Sequence, residues 1–172
     1  MSRFLTIYLF IFVGFISQQE IFVKGADVYW RDYEGTIPSD AYSTGYNTYI
    51  AQVVYNNSLM TGTFYPSKKI VVAEYDGKKE FDDNFKLLCT SEPQSLQWEA
   101  VNMGELDHEF LHQCIIGGHQ ADGKLYIGKI YHENEWKIGK VVPPTSIYNN
   151  LYVWWNNGGT YVSQDFEILM TV

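Results

Sequence analysis

Residues 48–66 read TYIAQVVYNNSLMTGTFYP and residues 125–143 read LYIGKIYHENEWKIGKVVP; the two align without a gap at an offset of 77. Five of the nineteen positions are identical: Tyr49 with Tyr126, Ile50 with Ile127, Asn57 with Asn134, Gly62 with Gly139 and Pro66 with Pro143. Val53 falls on Ile130 and Leu59 on Trp136, so the apolar pattern is kept too. Upstream the offset drops to 73, pairing Ala41 with Cys114 and Gly45 with Gly118. Downstream it rises to 81, pairing Gly77 with Gly158, Phe85 with Phe166 and Leu88 with Leu169. The changes fall in turn-like stretches such as Ala121-Asp122-Gly123-Lys124, where insertions are tolerated. A period near 77 is too long for a solenoid unit and implies a duplicated small domain.

Each copy reads as hairpins. Tyr49–Tyr55 and Leu59–Tyr65 flank Asn56-Asn57-Ser58, and Leu125–Tyr131 and Trp136–Val142 flank His132-Glu133-Asn134-Glu135. A second hairpin follows in each copy. Ile70–Tyr75 turns through Asp76-Gly77 into Lys79–Leu88, and Ile147–Trp155 turns through Asn156-Asn157-Gly158-Gly159 into Thr160–Leu169. Asp-Gly and Asn-Gly tolerate the positive φ of tight hairpin turns. Pro66 and Pro143-Pro144 sit between hairpins, where a missing amide donor harms no central ladder. The expected fold is all-β: two tandem antiparallel repeats, 26–100 and 101–172, packed with pseudo-twofold symmetry.

Composition agrees with sheets. Aromatic residues are 17% of the chain, a loading that favours pleated strands. Hydrophobic residues at 46% against 19% charged permit a packed core and exclude wholesale disorder. A formal charge of -8 argues against sequence-independent binding to nucleic acid or an anionic membrane.

The beginning of the chain gives an address. Met1-Ser2-Arg3 is a basic start, Phe4 to Ile16 is uncharged and apolar, and Val23-Lys24-Gly25 offers small residues at a cut before Ala26. Residues 1–25 therefore read as a secretory signal peptide, the apolar run being too short for an ordinary membrane span. A secreted, extracellular protein follows, with no stable membrane insertion. In an oxidising compartment Cys89 and Cys114 are expected to pair as a disulfide. Asn56-Asn57-Ser58 is an N-glycosylation sequon, placing an acceptor at Asn56 in a hairpin turn.

The residues Ile116-Gly117-Gly118, Asp122-Gly123, Leu125-Tyr126-Ile127-Gly128-Lys129, Gly139-Lys140-Val141 and Phe166-Glu167-Ile168-Leu169 resemble the DM-nine repeat, which also forms the front part of natterin-like proteins. The second copy fits well and the first is degenerate, with Ala51-Gln52 in place of the Gly-Lys step and Thr63 where the second copy has Lys140. The resemblance implies a mannose-binding lectin of innate immunity, without a catalytic centre or cofactor. In such lectins an Asp shortly after the double glycine and a Lys hold the sugar hydroxyls. The Lys falls on Lys140 and the Asp position on Gln120, with Asp122 two residues later as the substitute acid. Trp136, Trp154 and Trp155 are aromatics for the apolar face of a pyranose. The implied partners are glycans, with a homodimer or multivalent glycans supplying avidity for a weak single site. The alternative is a secreted structural or toxin-like protein that binds no sugar.

One motif points elsewhere. His108-Glu109-Phe110-Leu111-His112 fits H-E-x-x-H, in which a helix sets both imidazoles on one face for zinc and the Glu activates water. The room between Gly104 and Gly117 limits any helix there, and no third ligand falls at the usual spacing. A zinc hydrolase holding metal at His108 and His112 is therefore the lesser alternative, and no enzyme is expected.

Overall fold

The computed structural model describes residues 27–121 and 123–172, so the expected signal segment lies outside the described residues. Six strands come first: β1 (Val28–Asp32), β2 (Tyr49–Tyr55), β3 (Ser58–Tyr65), β4 (Ile70–Glu74), β5 (Lys78–Phe81) and β6 (Phe85–Thr90). After them come β7 (Leu96–Asn102), a single helical turn α1 (His108–Leu111), and β8 (Ile116–Gln120). The rest is β9 (Gly123–His132), β10 (Glu135–Val142), β11 (Asn150–Trp154), β12 (Thr160–Ser163) and β13 (Asp165–Thr171). The protein is nearly all-β, and among the described residues every strand pair is antiparallel and all thirteen strands belong to one branched sheet. No helix among the described residues is long and apolar enough to cross a membrane.

Pairing follows the same order in the two stretches. β2, β3, β4 and β5 form one meander and β9, β10, β11 and β12 another. β6 lies between β1 and β2, as β13 lies between β7 and β9. Isolated bridges join Ala41 to Cys89 and Cys114 to Met170. The first hairpin of each meander closes through two residues at positive φ, Asn56-Asn57 and Glu133-Asn134, the geometry whose twist matches paired strands. The second hairpin differs from the sequence expectation. Lys79–Leu88 and Thr160–Leu169, each expected as one strand, both break in two. Asn84, at φ 52, turns the chain so that β6 leaves β4's neighbour and pairs with β1 and β2. At the other break Ser163 Oγ donates to the Asp165 carbonyl at 2.8 Å, and β13 departs to β7 and β9.

The core is shared along the chain. Ile50, Leu88, Leu96, Ile127, Ile138 and Leu169 form one cluster, while Val72 packs with Val141, Leu151, Val153 and Ile168 in another. Where β3 and β10 cross, Thr61 Oγ1 donates to the Gly139 carbonyl at 2.9 Å, and Thr63 Oγ1 accepts from Ile138 N at 2.8 Å. Gly139 is required there because a Cβ would strike the carbonyl oxygen of Tyr152 on β11. Gly118 is required for the same reason against the carbonyl of Leu59, the residue through which β8 joins β3.

Cys89 and Cys114 are free, buried thiols, which corrects the expected disulfide. Each is tied into its own strand crossing: Cys89 pairs with Tyr29 and Ala41, and its thiol faces the Leu87 carbonyl. Cys114 pairs with Met170, and its thiol faces the Phe110 carbonyl. Burial pushes the Cys89 thiol up to about 11 and the Cys114 thiol to about 12, so both stay protonated at neutral pH.

Alkylation without reductant should leave the native protein unmodified at pH 8 and add two groups per chain in urea. An unchanged mass in urea would show a disulfide instead. Gly139→Ala should cost about 1–3 kcal/mol of unfolding free energy through forced displacement of β11; an unshifted urea midpoint would contradict the close approach.

Candidate functional site

Lysine is rarely buried unless paired, yet Lys129, Lys137 and Lys140 on β9 and β10 are all buried. Lys137 and Lys140 stand three residues apart on one strand, so they leave opposite faces of the sheet. Lys137 is 0% exposed and is held by Glu133 at 2.7 Å and the Trp154 carbonyl at 2.9 Å. Glu133 accepts from Asn156 N as well, which anchors a non-glycine residue in its positive-φ turn position. The Lys137 ammonium keeps the Glu133 carboxyl below the usual carboxylate range. His132 packs against Tyr161 and Trp155, and burial, with the nearby Lys137 charge, lowers its pKa. Lys129 pairs with Glu167 at 2.9 Å and lies under the rings of Trp98 and Trp136 at 4.5 and 4.6 Å.

Lys140 differs from the fully enclosed Lys137 because it lines open space. Its Nζ lies 3.0 Å from Glu74 Oε2, and the rings of Tyr75 and Tyr152 flank it at 5.3 and 5.7 Å. Glu74 ends β4 and is fixed through its other oxygen, which accepts from Thr160 Oγ1 at 2.8 Å and from Gly77 N at 3.2 Å. The Gly77 turn is docked on the far meander in turn, since Lys78 N donates to the Gly158 carbonyl at 2.9 Å. The ammonium and Oε2 are close without hydrogen-bond alignment, so the pair is Coulombic and Lys140 retains donors for another partner.

Two adjoining hollows of about 280 and 680 Å³ open over this pair, and both are lined by Asp76, Gln120, Lys140 and Tyr148. Gln120 and Lys140 thus line the same two hollows. Asp122 lies outside the described residues. Carboxylates reach the cavity from an unexpected direction: Glu74 and Asp76 come from the first meander, more than sixty residues from Lys140. An acid closing the apolar strand Ile70-Val71-Val72-Ala73 before an Asp-Gly turn was the sequence signal for them. Asn56 lines the larger hollow, and its side-chain amide donates to the Tyr75 hydroxyl at 2.6 Å. Of the three tryptophans considered for a sugar face, Trp154 is buried in the core and Trp155 packs on His132. Trp136 lines other cavities.

His108 and His112 stand side by side on the α1 turn, with ring centroids 4.4 Å apart, and Asp107 caps the turn by accepting from Phe110 N. Among the described residues no group of three His, Cys, Asp or Glu gathers where a metal could be held.

Lys140 and Glu74 thus meet at an open polar cavity on an antiparallel β fold. A family model for the DM9 repeat matches residues 40–152, about two thirds of the chain, and the protein belongs to the DM9 repeat family. Gln120, Lys140, Glu74 and Asp76 all fall inside the matched span. No curated protein matches the chain.

Lys140→Met leaves Glu74 buried beside no cation and should lower the unfolding free energy by about 3 kcal/mol. Glu74→Gln in the same chain should restore part of that loss; strictly additive losses would contradict the pairing.

Proposed function

We propose that this protein is a secreted, non-enzymatic carbohydrate-binding module that takes a mannose-type sugar over Lys140. The observation that carries the reading is the Lys140–Glu74 pair at 3.0 Å beneath an open cavity also lined by Gln120 and Asp76. Sugar recognition needs fixed donors and acceptors matched to vicinal hydroxyls. Lys140 offers ammonium donors, Asp76 offers a carboxylate acceptor, and the Gln120 amide offers both. Asp76 from the first meander supplies the acid that position 120 lacks. Tyr148 and Tyr152 give the cavity an aromatic wall for the apolar edge of the ring.

Secretion is supported by the basic-apolar-small pattern of residues 1–25. A monosaccharide held at millimolar dissociation gains only about 4 kcal/mol, so useful avidity comes from a homodimer or multivalent glycans. A role in defence or in contact between host and microbe fits such avidity.

The protein should be retained on mannose resin and light up mannose-terminated glycans on an array. Lys140→Arg should bind more weakly and Gln120→Ala should lose most binding while keeping the urea midpoint. A blank array with folded protein would sink this reading and favour a structural or toxin-like role.

A further inference from the structure

A second cavity, of about 410 Å³, lies between the turn at Asn134 and the segment leading into β2. Its most prominent wall is aromatic. Trp136 stacks on Tyr46 with centroids 5.3 Å apart and packs at a tilt against Tyr131 at 5.7 Å. Tyr46 and Tyr131 are 51% and 58% exposed, an unusual outlay of ring surface. The Lys129 ammonium, paired with Glu167, packs against the cluster 4.6 Å from the Trp136 ring and 5.7 Å from the Tyr46 ring.

The polar groups around these rings select the ligand's charge. Glu135 accepts from the Tyr65 hydroxyl at 2.8 Å and stands 3.8 Å from Lys137, and burial with that donation raises the Tyr65 pKa. Glu135 shares Lys137 with Glu133 and is engaged by the Tyr65 hydroxyl, and no cation among the described residues lines the cavity, so an anionic ligand finds no partner there. Asn47 and Asn134 both line the cavity at positive φ, and neither side chain hydrogen-bonds another described residue. An apolar flat face beside two free amides and one engaged carboxylate matches a neutral polyhydroxy ring.

The location is informative. By the sequence offsets of 73 and 77, Asn47 stands where Gln120 does, Glu135 where Ser58 does, and Thr63 where Lys140 does. Thr63 has no free role there, because its hydroxyl is taken by Ile138 N. The cavity thus combines Tyr46 and Asn47 of the first stretch with Tyr131, Asn134, Glu135 and Trp136 of the second.

We propose that this aromatic cavity is a second saccharide site, packing the apolar face of a neutral pyranose against the Tyr46–Trp136–Tyr131 cluster while Asn47 and Asn134 meet its hydroxyls. One chain then carries two sites of different chemistry and cross-links glycans without dimerising. The ligand class is the one read for the Lys140 cavity, but the two sites share no residue.

The test is a titration of the full chain with methyl mannoside, methyl glucoside and methyl N-acetylglucosaminide. It is followed by the nitrogen–proton spectrum of the side-chain amides and indoles. The Trp136 indole and the Asn47 and Asn134 amides report this cavity, and the Gln120 amide reports the other. At least one sugar should shift the first set saturably, in wild type and in Lys140→Ala. Tyr131→Ala, an exposed change, should weaken that response about tenfold and leave the urea midpoint unmoved. Shifts confined to Gln120, or an unaltered response in Tyr131→Ala, would overturn this site and leave the Lys140 reading intact. Shifts at Trp136 that persist while Gln120 never responds would support this site and overturn the Lys140 reading. Silence at every reporter with all three sugars would overturn both.

Discussion

A carboxylate and an ammonium taken out of water must find each other, and in this protein Glu74 and Lys140 do so across two meanders. Their encounter depends on much of the surrounding architecture. Gly139 lets β10 approach β11, and the Thr61 and Thr63 hydroxyls bond β10 to β3. The Gly77 turn is held against Gly158 and Thr160, which brings Glu74 to the right depth. A buried ion pair is a poor source of stability, because desolvation offsets most of its attraction. Keeping one at the base of an open cavity makes physical sense when the charges also meet a ligand.

The three buried lysines show how context decides the use of one residue type. Lys137 is fully enclosed and satisfied by Glu133 and a backbone carbonyl, so it works as a structural cation. Lys129 pairs with Glu167 and packs its ammonium against the rings of Trp98 and Trp136. Lys140 has the Glu74 carboxylate at hand, the Tyr75 and Tyr152 rings beside it and open space above it. The difference lies in neighbours contributed by distant strands, which no local pattern around Lys129, Lys137 or Lys140 encodes.

That distinction marks the boundary of what was legible in the sequence. Alternation and the polar turns Asn56-Asn57-Ser58 and His132-Glu133-Asn134-Glu135 located the first hairpins to within two residues, because local chemistry sets those elements. The splits at Asn84 and Gln164 were missed, since a strand's change of partner is decided by the neighbours it reaches. Gln120 and Lys140 were placed together by resemblance, whereas Glu74 and Asp76 entered the cavity only through tertiary docking. The disulfide expectation failed for a related reason: an oxidising address says nothing about where two thiols end up. By the alignment offset Cys114 corresponds to Ala41, the bridge partner of Cys89, so each thiol serves its own crossing.

The central claim is that the Glu74–Lys140 pair is the floor of a saccharide site, and a crystal structure with a saturating mannoside tests it most directly. The account predicts a sugar ring between Gln120, Asp76 and Tyr148, with a hydroxyl within hydrogen-bond distance of Lys140 Nζ. A cavity that holds only water at saturating sugar, with Lys140 and Glu74 undisturbed, would contradict it.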